Sequence, residues 1–185
     1  MKPQPIYRGL SKVALGYVFL TFNLNLGTLN VLPNWGGYLF LLAAIGLLGE
    51  ELRDLALLRP FCILLAAADG ADWLAVLFTG ETLTGRFFLV YLLLACVSIY
   101  FQFQLLTDLA LLAEQHGVPA GVLRGCRNVD AATSVLILIP LFWENSEPLT
   151  ALSVLLLLTG IVVRLMIIWQ LFSLRKAFRP EQNET

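Results

Sequence analysis

Residues 60–79 read PFCILLAAADGADWLAVLFT. Apart from Asp69 and Asp72 at its centre, the stretch carries no charge. Coiled as an α-helix, a segment of this length measures about 30 Å, the thickness of a bilayer's hydrocarbon core. Five more apolar runs lie around it, over 10–32, 35–49, 87–107, 131–143 and 149–172. The chain as a whole is 58% hydrophobic and 14% charged, with a mean hydropathy of +0.80. That is too apolar for a water-facing surface and places the chain in the membrane class. The expected fold is all-α, a polytopic bundle of six transmembrane helices forming one domain over 1–185.

The positive charges set the expected orientation, because cytoplasmic loops carry an excess of Lys and Arg. Lys2, Arg8 and Lys12 precede or open the first run; Arg53 and Arg59 lie between the second and third. Arg124 and Arg127 lie between the fourth and fifth, and Arg175, Lys176 and Arg179 follow the sixth. The opposite loops hold Arg86 alone, and the turn from Glu144 to Pro148 is purely acidic. Six crossings with both termini in the cytoplasm satisfy this alternation. The spans are expected over about 10–32, 35–53, 60–79, 87–112, 119–143 and 149–174. The second run is short and must continue past Gly49 into Glu50 and Glu51. The fifth helix is expected to start near Pro119, since proline fits a first helical position. The basic start and short apolar stretch of the N-terminus also suit a signal peptide, but no small-x-small cleavage site follows, so a retained first span is expected. Tyr17, Trp35, Tyr38, Tyr91, Trp143 and Trp169 are candidates for the aromatic belts.

Several chemistries are excluded. A net charge of −1 and a pI near 5.8 offer no basic field for nucleic acid. Cys62, Cys96 and Cys126 form no CxxC, and His116 is the only histidine, so neither a disulfide framework nor a zinc site is expected. Glu50-Glu51 invites comparison with CAAX-protease-like membrane peptidases, but the arginine their motif needs four positions on is Leu55 here, and their partner histidines are missing. No catalytic residue, cofactor site or metal site is expected.

Charge inside the spans draws the attention instead. An ionisable residue at the centre of a helix costs about 2.5–3.5 kcal/mol on insertion scales. Asp69 and Asp72 share one helix face by their i, i+3 spacing. Counted from the cytoplasmic boundary, Asp69 lies about 12 Å deep, Asp72 about 16 Å and Arg164 about 10 Å. Asp69 or Asp72 is therefore expected to face protein and to pair with Arg164. Asn23 and Asn25 on the first span, Gln102 and Gln104 on the fourth and Ser134 on the fifth reach the same region. The candidate polar layer is Asn23, Asn25, Asp69, Asp72, Gln102, Gln104 and Arg164. Such a layer suits a buried pathway or pocket; it suits equally a structural ion pair locking helices together. Separately, Gly121, Gly125 and Ala132 fall near one helix face at spacings that let helix backbones approach, a candidate packing face.

The run from Asn23 through Asn25, Gly27, Asn30, Leu32, Pro33 and Gly37 to Tyr38 resembles small multi-span integral membrane proteins of Gram-positive, Clostridia-like bacteria, in which an Asn-rich first span leads into an LPxxxGY turn. The resemblance covers about 30 residues. It implies a bacterial inner membrane and a multi-pass chain, and it brings no catalytic residues. Six spans with both termini inside are also similar in outline to the substrate-binding subunits of energy-coupling-factor transporters. Their small residues spaced by four in the first span are not matched, since Val18 follows Ala14. The leading expectation is a membrane component that handles a small solute or ion. The alternative is a structural or accessory protein associating with other membrane subunits or with itself, and an intramembrane enzyme comes last.

Overall fold

The computed structural model describes residues 3–22, 25–26, 29–30, 33–83, 87–138 and 147–179. Among them the chain is all-α but for one two-residue strand pair. Seven helices follow in order: α1 (Pro3–Thr21), α2 (Asn34–Leu48), the five-residue α3 (Arg53–Leu57), α4 (Arg59–Thr79), α5 (Phe88–Gln115), α6 (Gly121–Leu138) and α7 (Glu147–Ala177). Three helical stretches are long and apolar enough to cross a membrane: Asp54–Thr79, Phe88–Gln115 and Leu152–Ala177. These mark a membrane protein.

The helix boundaries correct the expected spans where local chemistry intervenes. The first helix was expected over 10–32; it begins at Pro3 and stops at Thr21. Beyond it Asn25 pairs with Asn30 and Leu26 with Leu29 in a short antiparallel ladder. Asparagine is a poor helix former and competes with the backbone for hydrogen bonds, so an Asn-rich segment leaves the helix early. The second helix does not run on to residue 53. It ends at Leu48, the chain turns, and α3 starts separately. Pro60 then sits in the first turn of α4, where its missing N–H costs nothing. α4 closes on Gly80, whose φ of 75° is the left-handed cap that glycine takes without strain. Gly117, at φ 74°, ends α5 in the same way, and Val118 N–H reaches back to the Ala113 carbonyl at 2.9 Å. α6 starts two residues after Pro119 and passes through 123–130 without a break. The expectations for Lys2, Asn23, Arg86, Trp143 and the turn beginning at Glu144 fall outside the described residues.

The six longer helices form a closed ring. Each packs on the next, α1 on α2, α2 on α4, α4 on α5, α5 on α6 and α6 on α7, and α7 returns to α1. The tightest seam is α1 against α2. A Cβ on Gly16 would lie 2.8 Å from the Leu41 side chain and 3.0 Å from the Gly37 carbonyl oxygen, and one on Gly9 would lie 2.6 Å from Leu48. Small residues on both helices are what lets these backbones approach. The close-packing glycines are thus Gly9, Gly16 and Gly37. Nothing lies within 4 Å of a Cβ built on Gly121 or Gly125, and Ala132 is exposed. That face is turned outward and packs against nothing within the chain.

One end of the ring is closed. Fully buried side chains gather where the α2–α4 and α5–α6 connections and the ends of α1 and α7 meet: Leu10, Leu48, Leu55, Leu105, Leu109 and Leu171. The short α3 touches α2, α4 and α5 and plugs this end. Basic residues tie the helices there. Arg175 donates to the Tyr7 hydroxyl at 2.6 Å and covers its ring at 4.8 Å. Arg124 meets Glu114 at 2.7 Å. Arg127 donates to Thr107 at 2.8 Å and lies 4.3 Å over Phe103. Toward the other end the outer faces show large apolar side chains, among them Leu77, Phe78, Leu89, Leu93, Leu155 and Leu158.

Candidate solute cavity within the ring

Charges on three helices turn inward. Asp69 and Asp72 follow Arg59 on α4 by 10 and 13 residues, which puts them about 15–20 Å from the closed end. Arg164 precedes the end of α7 by 13 residues, about 20 Å. Asp130 is nine residues into α6, about 14 Å. Similar depth alone does not bring two groups together, since neighbours in a ring are fixed by helix order. α7 packs between α6 and α1, so Arg164 meets Asp130 rather than Asp69 or Asp72. Arg164 Nε donates to Asp130 Oδ1 at 3.4 Å. The pairing expected between Arg164 and an α4 carboxylate is therefore corrected. The carboxylate of the pair is 7% exposed and the arginine 35%. The apolar run over 131–143 begins only after Asp130, so hydropathy alone places this carboxylate toward the membrane surface. The buried face Leu123, Cys126, Asp130, Thr133 is the signal that would have found it.

A cavity of about 320 Å³ opens between α2, α4, α5 and α7, lined by Tyr38, Asp69, Asp72, Ser98, Gln102 and Arg164 together with apolar side chains such as Leu65 and Leu94. A second space of about 200 Å³ shares Asn34, Asp69 and Asp72 with it and reaches Trp73 and Thr82, farther from the closed end. Arg164 also borders a third, of about 130 Å³, with Asp130, Thr133 and Ser134. The first and second thus share both α4 carboxylates, and the first and third share Arg164.

Tyr38 reaches across the interior. Its hydroxyl lies 3.2 Å from Ser98 Oγ, to which Gln102 Nε2 donates at 3.1 Å. Its ring meets Phe101 edge-on at 6.0 Å. Tyr17 and Tyr38, expected at the interface, are 1% and 4% exposed and belong to the core. Because α1 begins at Pro3, Tyr17 is 14 residues in, about 21 Å along the helix. Its hydroxyl has no hydrogen-bond partner and interacts electrostatically with Asp130, Arg164 and Tyr38. Asn34 Oδ1, also buried, has none either. Trp35, another expected belt residue, packs edge-on against Trp73 at 6.1 Å, whereas Trp169 is 66% exposed on the outer face.

Of the residues expected in the polar layer, Asp69, Asp72, Gln102 and Arg164 line one cavity. Gln104 does not: its Nε2 donates to Asp108 Oδ1 at 2.9 Å, nearer the closed end. Asn23 lies outside the described residues, as does the side chain of Asn25. Tyr38, Ser98, Asn34 and Asp130 join the site unforeseen. Asp108 Oδ1 accepts from Gln104, and Asp130 Oδ1 from Arg164. His116 is bonded through Nδ1 to the Leu112 carbonyl at 2.9 Å. Among the described residues no three His, Cys, Asp or Glu gather as a metal site. Against protein-family models, curated proteins and solved structures the chain finds no match.

Proposed function

We propose that the chain crosses the cell membrane six times, with the closed end of the ring and both termini in the cytoplasm, and that its interior cavity binds a small polar solute or ion. The basic residues at the closed end support the orientation. The observation that carries the binding reading is Asp69. It lines the cavity from α4 beside Asp72, about 15 Å from the closed end. Intramembrane carboxylates are expensive and mark ion or substrate paths when they face a wet interior. A cavity near 320 Å³ falls in the size range of small-molecule sites.

The test is a thermal-shift screen of the purified full chain in detergent or nanodiscs against a broad set of metabolites and ions. A ligand that stabilises the protein and loses that effect in Asp69→Asn is expected. The second reading, an accessory subunit, has in its favour the outward small-residue face of Gly121, Gly125 and Ala132. It leads if the screen returns no ligand that depends on Asp69.

A further inference from the structure

We propose that the solute is a zwitterion of amino-acid size, with its ammonium group at Asp69 and its carboxylate at Arg164. This rests on the reading of the cavity as a solute site. The cavity has an anionic and a cationic wall. Asp69 lines it from α4, with Asp72 close enough to act on it electrostatically. Arg164 lines it from α7. The bond to Asp130 is made by Arg164 Nε, at one edge of the guanidinium, and the side chain also lines the cavity. The two terminal N–H groups of a guanidinium are parallel donors, the geometry that takes a carboxylate.

The rest of the cavity fits the same ligand. Tyr38 lines the same cavity as Asp69 and Arg164. Its hydroxyl, with Ser98 and Gln102, gives the cavity neutral hydrogen-bonding groups. Leu65, Leu94 and Ala95 leave room for an apolar side chain. At about 30 Å³ per water, 320 Å³ corresponds to roughly ten waters, enough for a solute of five to ten heavy atoms. A simple cation would leave the Arg164 donors unmatched, and a simple anion would face Asp69 and Asp72. Only a molecule carrying both charges answers both walls.

The experiment measures binding to the full chain in nanodiscs by calorimetry. The probes are the α-amino acids and the ω-amino acids from β-alanine to 6-aminohexanoate, each beside its amine-only and carboxylate-only counterpart; leucine, for example, is flanked by 3-methylbutylamine and 4-methylpentanoate. At least one zwitterion should bind at least about 30-fold more tightly than either counterpart, the discrimination expected when a buried charge loses its partner. Asp69→Asn should abolish the preference for the zwitterion over the carboxylate. Arg164→Gln should abolish its preference over the amine. Arg164→Gln combined with Asp130→Asn should do the same without stranding a carboxylate, which covers the case in which the single variant fails to fold. An amine that binds as well as its zwitterion, unaffected by Arg164→Gln, overturns the inference and leaves the solute site standing. So does a set of probes that all fail while the broad screen yields another Asp69-dependent ligand. Failure of both removes the site as well.

Discussion

Replacing Arg164 by leucine should strand Asp130, and the size of the loss follows from where the pair sits. The Asp130 side chain is 7% exposed and has one charged partner, at 3.4 Å. Removing one member of a buried pair typically costs about 3–5 kcal/mol, because the remaining charge stays buried without compensation. The arginine is a third exposed to the cavity, so solvent already weakens the attraction and the loss should fall to about 2–3 kcal/mol. For a chain of this length each kcal/mol moves the midpoint by roughly 2–4 °C, which puts Arg164→Leu about 5–10 °C below the parent. Asp130→Asn alone should cost less, near 1 kcal/mol, because the freed guanidinium keeps its access to water. The double variant should recover much of the Arg164→Leu loss, with a coupling of about 1–3 kcal/mol. Asp69→Asn should give no such rescue. Thermal unfolding of the four proteins in one detergent closes the cycle. The pairing is refuted if the Arg164 and Asp130 losses simply add, or if Asp69→Asn rescues Arg164→Leu as well as Asp130→Asn does.

Two further outcomes test the frame around the cavity. Gly16→Val should destabilise by at least about 1–3 kcal/mol, because its Cβ would stand 3.0 Å from the Gly37 carbonyl, which is backbone and yields little; Gly125→Val, with nothing within 4 Å, should be near neutral in the same unfolding assay. Reporter fusions after Arg179 and at Asn145 should report cytoplasm and exterior respectively; an exterior signal at the C-terminus would contradict the six-span topology.

The helices were legible because membrane burial makes an apolar run long and nearly charge-free, and residues 59–79 show it most clearly: the run expected from 60 to 79 is α4 almost to the residue. What was not legible is azimuth. Asp69, Asp72 and Arg164 line one cavity inside the ring, but the partner of Arg164 depends on which helix stands beside α7. One chain's hydropathy does not carry ring order. Asp130 was missed although its helix was expected from near Pro119, because the apolar run over 131–143 begins only after it; α6 starts nine residues before Asp130 and carries that carboxylate inward. Tyr17 was misplaced because α1 begins before its apolar run and ends before the Asn-rich segment; Tyr38, on α2, is turned inward, again a matter of azimuth. Gln102 and Gln104 illustrate the limit further. Two positions apart on a helix, they point to different faces, and only Gln102 enters the cavity.

Water access to the centre of the ring tests the account most directly. In a background with Cys62, Cys96 and Cys126 replaced, Ser98→Cys places a thiol on the cavity wall, and Leu93→Cys places one on the exposed apolar face of the same helix. A small, charged, membrane-impermeant thiol reagent added outside intact cells should label Ser98→Cys and leave Leu93→Cys unmodified. Protection of Ser98→Cys by a solute found in the screen should follow. Labelling of neither position, with Ser98→Cys reached only by a lipid-soluble reagent, would contradict an open polar cavity and with it the proposed solute site.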